Sequence, residues 1–211
     1  MTRGRFITFE GGEGAGKSTQ VQRLAARLRA HGHEVVTTRE PGGSTGAESI
    51  RDIVLKGDAD RWSPMTETLL MYAARRDHIE RVIRPALERG AWVICDRFAD
   101  STRAYQGAAG GVDPAFIAAL ETHILEATRP DLTLVFDLPP EVGLQRAHAR
   151  AGAEMRFESK GMAFHERLRA GFKAIAAAEP GRCAVVDATA SMDGVEEAIW
   201  SAIQARLAAH G

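Results

Sequence analysis

A three-layer α/β fold, with a five-stranded parallel sheet flanked by helices, is predicted for this 211-residue chain by two observations. Five short apolar or β-branched runs alternate with longer stretches of helical periodicity, and strands separated by helices pair in parallel through right-handed crossovers. The first run ends abruptly in a glycine-rich loop that opens into a helix whose Val21, Leu24, Ala25 and Leu28 share one face. The length and 45% hydrophobic content suit one domain over residues 1–211, and no internal repeat or linker divides it.

The loop after the first strand reads Gly11-Gly12-Glu13-Gly14-Ala15-Gly16-Lys17-Ser18-Thr19 and fits the P-loop spacing Gly-x-x-x-x-Gly-Lys-Ser in full. Glycines let several N–H groups turn inward at the positive end of the following helix, which makes an anion site. Lys17 reaches the β- and γ-phosphates in such a loop, and the Ser18 hydroxyl is placed to ligate Mg²⁺. The fold is therefore expected to be of the P-loop NTPase type.

Residues 33–38 read as the second strand, closed by Arg39-Glu40-Pro41-Gly42-Gly43, a charged turn where the ligand crevice of an open α/β sheet lies. Residues 47–55 look helical and 58–64 are a polar break. Two helical stretches follow, 66–76 and 77–89, the second kinked near its end by Pro85. The third strand, 92–95, ends in Asp96-Arg97-Phe98. Asp96 is either a Walker-B-like group for Mg²⁺ and its waters or a cap of the next loop. Residues 107–114 read as a glycine-rich loop before a helix with an apolar stripe of Phe116, Ile117, Leu120 and Ile124. The fourth strand is 132–137, and a helix begins at Glu141. The segment 145–160 is dense in charge, with Arg146, Arg150 and Arg156, and reads as a lid over the phosphates rather than as a merely solvated face. A helix at 161–178, a fifth strand at 183–187 and an amphipathic helix at 195–207 complete the chain.

The formal charge of −1 gives no global basic field, which argues against nucleic acid as a partner. Cys95 and Cys183 each sit in an apolar run and have no metal-ligand or redox spacing. No apolar run approaches membrane-spanning length and no signal peptide is recognisable, so a cytoplasmic protein with no membrane partner is expected.

Several motifs coincide in order: Phe9-Glu10-Gly11 through Ser18, Thr38-Arg39-Glu40-Pro41-Gly42-Gly43, Tyr72-Ala73-Ala74-Arg75, Asp96-Arg97-Phe98 and Asp100-Ser101-Thr102-Arg103-Ala104-Tyr105-Gln106-Gly107. Arg129-Pro130-Asp131-Leu132-Thr133 and Pro140-Glu141-Val142-Gly143-Leu144 complete the set. Together they resemble the bacterial thymidylate kinases, nucleoside monophosphate kinases that make dTDP from dTMP. The resemblance implies ATP as donor, Mg²⁺ as cofactor, dTMP as acceptor and a homodimer. It implies that residues 11–18 hold the ATP phosphates, and that Glu13 approaches the acceptor sugar's 3′-hydroxyl and the Mg²⁺ shell. It implies that Arg39, Arg75 and Arg97 surround the acceptor and transferred phosphates, with Glu40 in the same turn as Arg39. Arg51 would lie near the thymine carbonyl, and Ser101, Tyr105 and Gln106 would read the base edge and crowd the 2′ position. Ala15 leaves the P-loop without the arginine some members carry there, and Arg150 and Arg156 are the lid candidates to replace it. Met71 stands where the family usually has a phenylalanine stacked on thymine; Tyr72 reads as helix core.

A phosphate monoester has a second pKa of about 6, so such an acceptor needs no general base. None of the seven His residues is assigned a role. The obstacle is repulsion between two polyanions, met by positioning and positive charge. A nucleoside acceptor would instead need a carboxylate base, for which Glu13 is the candidate. A switch or regulatory module that binds ATP or GTP without phosphorylating a small molecule is disfavoured by the absence of an Asn/Thr-Lys-x-Asp stretch and by an arginine-rich lid on one compact domain, which suits a two-substrate enzyme.

Overall fold

The computed structural model describes residues 3–58, 60–149, 156–157 and 159–207. β1 (Phe6–Gly11) is buried at every position, because helices cover both faces of the sheet beside it. Ile7 and Phe9 point to one layer and Phe6 to the other, while the Thr8 hydroxyl is satisfied by that of Thr133 at 2.8 Å. The P-loop leads into α1 (Lys17–Ala30), and β2 (Val35–Arg39) follows. α2 (Thr45–Leu55) is capped by Ser44, whose Oγ accepts from Ala47 N, and α3 (Pro64–His78) by Ser63 with Pro64 at the first helical position.

The two helices expected over 66–89 are one continuous rod. α3 passes through a π-helical turn, Ile79–Ile83, into α4 (Arg84–Glu88). Pro85 lacks an N–H and its ring crowds the carbonyl four residues back, and the wider turn immediately before it relaxes that conflict without breaking the rod.

β3 (Trp92–Asp96) leads to α5 (Ala99–Thr102), which widens into a second π-helical segment, Arg103–Ala109. The glycine-rich loop expected to begin at Gly107 begins at Gly110 instead. Gly107 lies inside that helical segment, where a Cβ would stand 3.1 Å from Ile117 Cδ1, so here glycine serves close packing rather than a turn. α6 (Pro114–Ile124), β4 (Leu132–Asp137), α7 (Pro140–His148), α8 (Met162–Ala178), β5 (Cys183–Asp187) and α9 (Met192–Leu207) follow.

The five strands are parallel in the order β2-β3-β1-β4-β5. One layer packs α1 and α9 against the sheet through Leu24, Leu28, Ile199 and Ile203. The opposite layer packs the α3–α4 rod through Ile79, Ile83 and Leu87, and α8 through Leu168 and Phe172. The central strand thus delivers its C-terminal loop to the crevice at the carboxyl edge, where ligands of open α/β sheets bind. Cys95 and Cys183 are buried free thiols.

Candidate active site

The loop after β1 takes its shape from its glycines. Gly16 sits at φ 83°, in the left-handed region, with open space where a Cβ would be, so backbone freedom alone explains it. Gly14 adds contact to conformation: at φ 68° its Cβ would meet Gly143 O at 2.0 Å, so α7 presses directly on the loop. Lys17 Nζ donates to Gly11 O (3.1 Å) and Gly12 O (2.7 Å). Burial pushes its pKa down to about 8, and Arg97 adds to the shift, against the pull of Asp96, Glu13 and Glu10. A polyanion in the loop would supply the counter-charge this ammonium lacks.

Ser18 Oγ donates to Asp96 Oδ2 at 2.6 Å, which brings the helix hydroxyl and the acidic end of β3 to one point. These are hard oxygen donors of the kind Mg²⁺ takes. Among the described residues no cluster of three His, Cys, Asp or Glu side chains forms a cage. That set fits Mg²⁺, which keeps most of its sphere for substrate phosphates and water.

After Asp96 the chain turns through Arg97 at φ 70°, a conformation uncommon for a non-glycine residue. Glu10 anchors that turn: its Oε1 accepts from Phe98 N (2.8 Å) and its Oε2 from Ser101 Oγ (2.6 Å). Arg97 Nη1 donates to Gly11 O (2.8 Å), and Nη2 stands 3.5 Å from Glu13 Oε1. The Tyr105 hydroxyl donates to the same Glu13 oxygen. Burial opposes ionisation of Glu13, but Arg97, Tyr105 and Lys17 outweigh it and hold its pKa below the usual carboxylate value.

Opposite the P-loop, Arg75 is buried on α3. Its Nε donates to Glu40 Oε2 (2.7 Å) and its Nη2 to Phe98 O and Thr102 Oγ1 (both 3.1 Å). Nη1 is left buried with no hydrogen-bond partner. Glu40 is fixed from its other side by His78, held in turn by Thr38. The P-loop and Arg75 line opposite sides of one cavity of about 370 Å³. Arg39, Asp96 and Arg97 also line it, as do Arg51, Met71, Gln106 and Phe157. Its lining combines the cations Lys17, Arg39, Arg51, Arg75 and Arg97 with the Met71 thioether, the Phe157 ring and the Gln106 amide, a mixture that suits a nucleotide.

The thymidylate kinase family model matches residues 9–199. A thymidylate kinase from Caulobacter vibrioides is 68% identical over 207 residues, covering 98% of this chain and 99% of that one. One from a Bradyrhizobium strain is 56% identical over 207 residues, covering 97% and 92%. The crystal structure of thymidylate kinase from Ehrlichia chaffeensis superimposes with a TM-score of 0.78 at 35% identity, covering 96% of this chain and 99% of that one. The chain belongs to the thymidylate kinase family.

Of the positions singled out by the family resemblance, Glu13, Gly14, Ala15, Gly16, Lys17 and Ser18 line the cavity, as do Arg39, Glu40, Arg51, Met71, Arg75, Asp96, Arg97, Ser101, Tyr105 and Gln106. Gly11, Gly12 and Thr19 do not line it; Gly11 and Gly12 give their carbonyls to Lys17, and Thr19 is exposed. Arg39 is exposed and directed to Glu48 at 3.3 Å. Arg156 is not at the phosphate loop. It is buried against the end of α2, donating to Val54 O and Asp58 O (both 3.0 Å) and paired with Glu67 at 2.5 Å. Arg150 lies outside the described residues. Tyr72 is core, its hydroxyl donating to Glu121.

Four residues near the site were not assigned a role from sequence. Glu10, inside a strand of apolar neighbours, carried a signal in being the one acid on a buried strand. Phe157 lines the cavity and packs edge-on against Tyr105 at 5.2 Å. His165, on the buried face of α8, stands 3.7 Å from Glu13 Oε2. Glu67 bridges Arg156 and Gln106. Helical periodicity marks the last two as core-facing but says nothing of what they face.

Proposed function

We propose that this chain transfers the γ-phosphoryl group of ATP to the 5′-phosphate of dTMP, giving dTDP and ADP, within the single cavity between the P-loop and α3. The observation that carries the reading is the unpartnered Nη1 of buried Arg75, a charged donor left for an anion in a cavity whose other side is a P-loop. The ATP phosphates occupy the loop and the amino end of α1, with Lys17 on the transferred group. Arg75 seats the acceptor phosphate, and Arg97 stands between the two anions, its charge secured by Tyr105, Glu13 and Asp96 against the cost of burial. Ser18 and Asp96 would hold Mg²⁺, which supplies charge neutralisation at the phosphate oxygens when bound. The acceptor is already an anion, so no proton need be removed.

A nucleoside acceptor fits less well. A general base works best with a pKa near the operating pH, and Glu13 is held below the ordinary carboxylate value. Among the described residues no helix is long and apolar enough to cross a membrane, which supports a cytoplasmic site of action. Exposed Met65 and Leu69 on α3 and Ile53 on α2 support a homodimer, and a monomeric mass by light scattering at micromolar concentration would contradict it.

The test is ADP formation from Mg·ATP with dTMP, dUMP, dCMP, dGMP and thymidine offered separately. The reading predicts fastest turnover with dTMP and negligible turnover with thymidine. Turnover with thymidine equal to that with dTMP would overturn it.

A further inference from the structure

We propose that Glu67 is the positioning residue that decides which way the Gln106 amide faces, and thereby selects a base carrying an N–H donor over one carrying an acceptor at the same place. The proposal rests on the reading of this cavity as the nucleotide acceptor site.

Glu67 occupies the first turn of α3, four residues before Met71 and eight before Arg75, so it shares their side of the helix; Met71 and Arg75 line the cavity, and Glu67 touches it through Gln106. It is buried, with 4% of its surface exposed. Its Oε1 pairs with Arg156 Nη2 at 2.5 Å, and its Oε2 accepts from Gln106 Nε2 at 3.1 Å. A carboxylate paired with a guanidinium has only acceptors to offer. Gln106 can therefore bond it through Nε2 and not through Oε1. The amide oxygen lies on the opposite branch of a planar group, and it takes no bond from any described residue while Gln106 lines the cavity. Gln106 thus presents an acceptor to the ligand.

Thymine and uracil carry an N–H at N3, and cytosine carries a lone pair there. The first two complement Oε1; the third sets two acceptors face to face. A buried polar group that is left unpaired or opposed is what gives a site strong discrimination, where apolar fit gives little. Reversing the amide would reverse the preference, and the charge on Glu67 is what forbids that reversal.

The experiment is kcat/KM for dTMP, dUMP and dCMP in the wild-type enzyme and in Glu67→Gln. A glutamine at 67 is nearly isosteric, and it offers a donor as well as an acceptor, so Gln106 is free to turn over. Arg156 keeps its bonds to the carbonyls of Val54 and Asp58. The dTMP to dCMP ratio should fall by about tenfold or more. The dTMP to dUMP ratio should stay within about twofold, because both bases carry the N3–H. General damage to the fold would lower all three rates together and leave both ratios unmoved. An unchanged dTMP to dCMP ratio would overturn the proposal. If the glutamine variant does not fold, Glu67→Ser, with room for a water that can donate or accept, should show the same fall, and an unchanged ratio there is equally decisive. A wild-type enzyme that turned over none of the three nucleotides would instead overturn the functional reading itself.

Discussion

Glu10 is a carboxyl group sealed beneath the turn that carries Arg97, with both oxygens bonded to that turn. Burial, with Asp100 nearby, raises its pKa to about 8, against the pull of Ser101, Arg97 and Phe98 N. Its native pKa lies above its unfolded one, so the stability it contributes is fully present below about pH 4.5 and is lost as pH rises through about 8. Glu10→Gln cannot titrate. The melting temperature of the variant relative to wild type should therefore climb between pH 5 and pH 8, with a slope of up to about 1.4 kcal/mol per pH unit in stability. A difference that stays flat or falls over that range would show that Glu10 is ionised in the native protein. The P-loop residues were legible in the sequence because each is dictated by local backbone or phosphate chemistry. Glu10, Glu67 and His165 were not, because their partners at Ser101, Gln106 and Glu13 are tens of residues away and only the folded sheet brings them near.

At the scale of elements, α7 and the P-loop are held together by two glycines facing each other. A Cβ on Gly143 would stand 2.5 Å from Glu13 O, and one on Gly14 2.0 Å from Gly143 O. Gly143→Ala gains about 1 kcal/mol of helix propensity and loses about 1–3 kcal/mol to overpacking, so stability should fall by up to about 2 kcal/mol. The displaced loop should bind ATP roughly tenfold more weakly, an effect of about 1.4 kcal/mol. Calorimetric titration with a non-hydrolysable ATP analogue checks this, and an unchanged dissociation constant would mean that α7 does not set the loop's geometry. All five strands and most helices were legible from period and punctuation. The two π-helical segments were not. The turn at Ile79–Ile83 is a response to Pro85 inside a rod held by packing, and the one at Arg103–Ala109 places Tyr105 and Gln106 at the cavity through contacts with α6 and α8 that no local pattern encodes.

For the molecule as a whole, the strand order sends the loops after β1, β2 and β3 to one edge of the sheet, and the α3–α4 rod closes the crevice from the side. The P-loop, Glu40 on the loop after β2, Arg97 on the loop after β3 and Arg75 on α3 thereby converge from separate parts of a chain whose net charge is only −1. Local concentration of positive charge, rather than global charge, is what two polyanions at attack distance require. Arg97 lies at the centre of that convergence, touching the P-loop through Gly11 O and Glu13 and the segment after β3 through Ser101. The most direct test is therefore the steady-state kinetics of Arg97→Ala with Mg·ATP and dTMP. Loss of a preorganised charge at the transferred group should lower kcat by at least about 10²-fold. Wild-type kcat with a change confined to the KM for ATP would contradict the assignment of phosphoryl transfer to this point in the cavity.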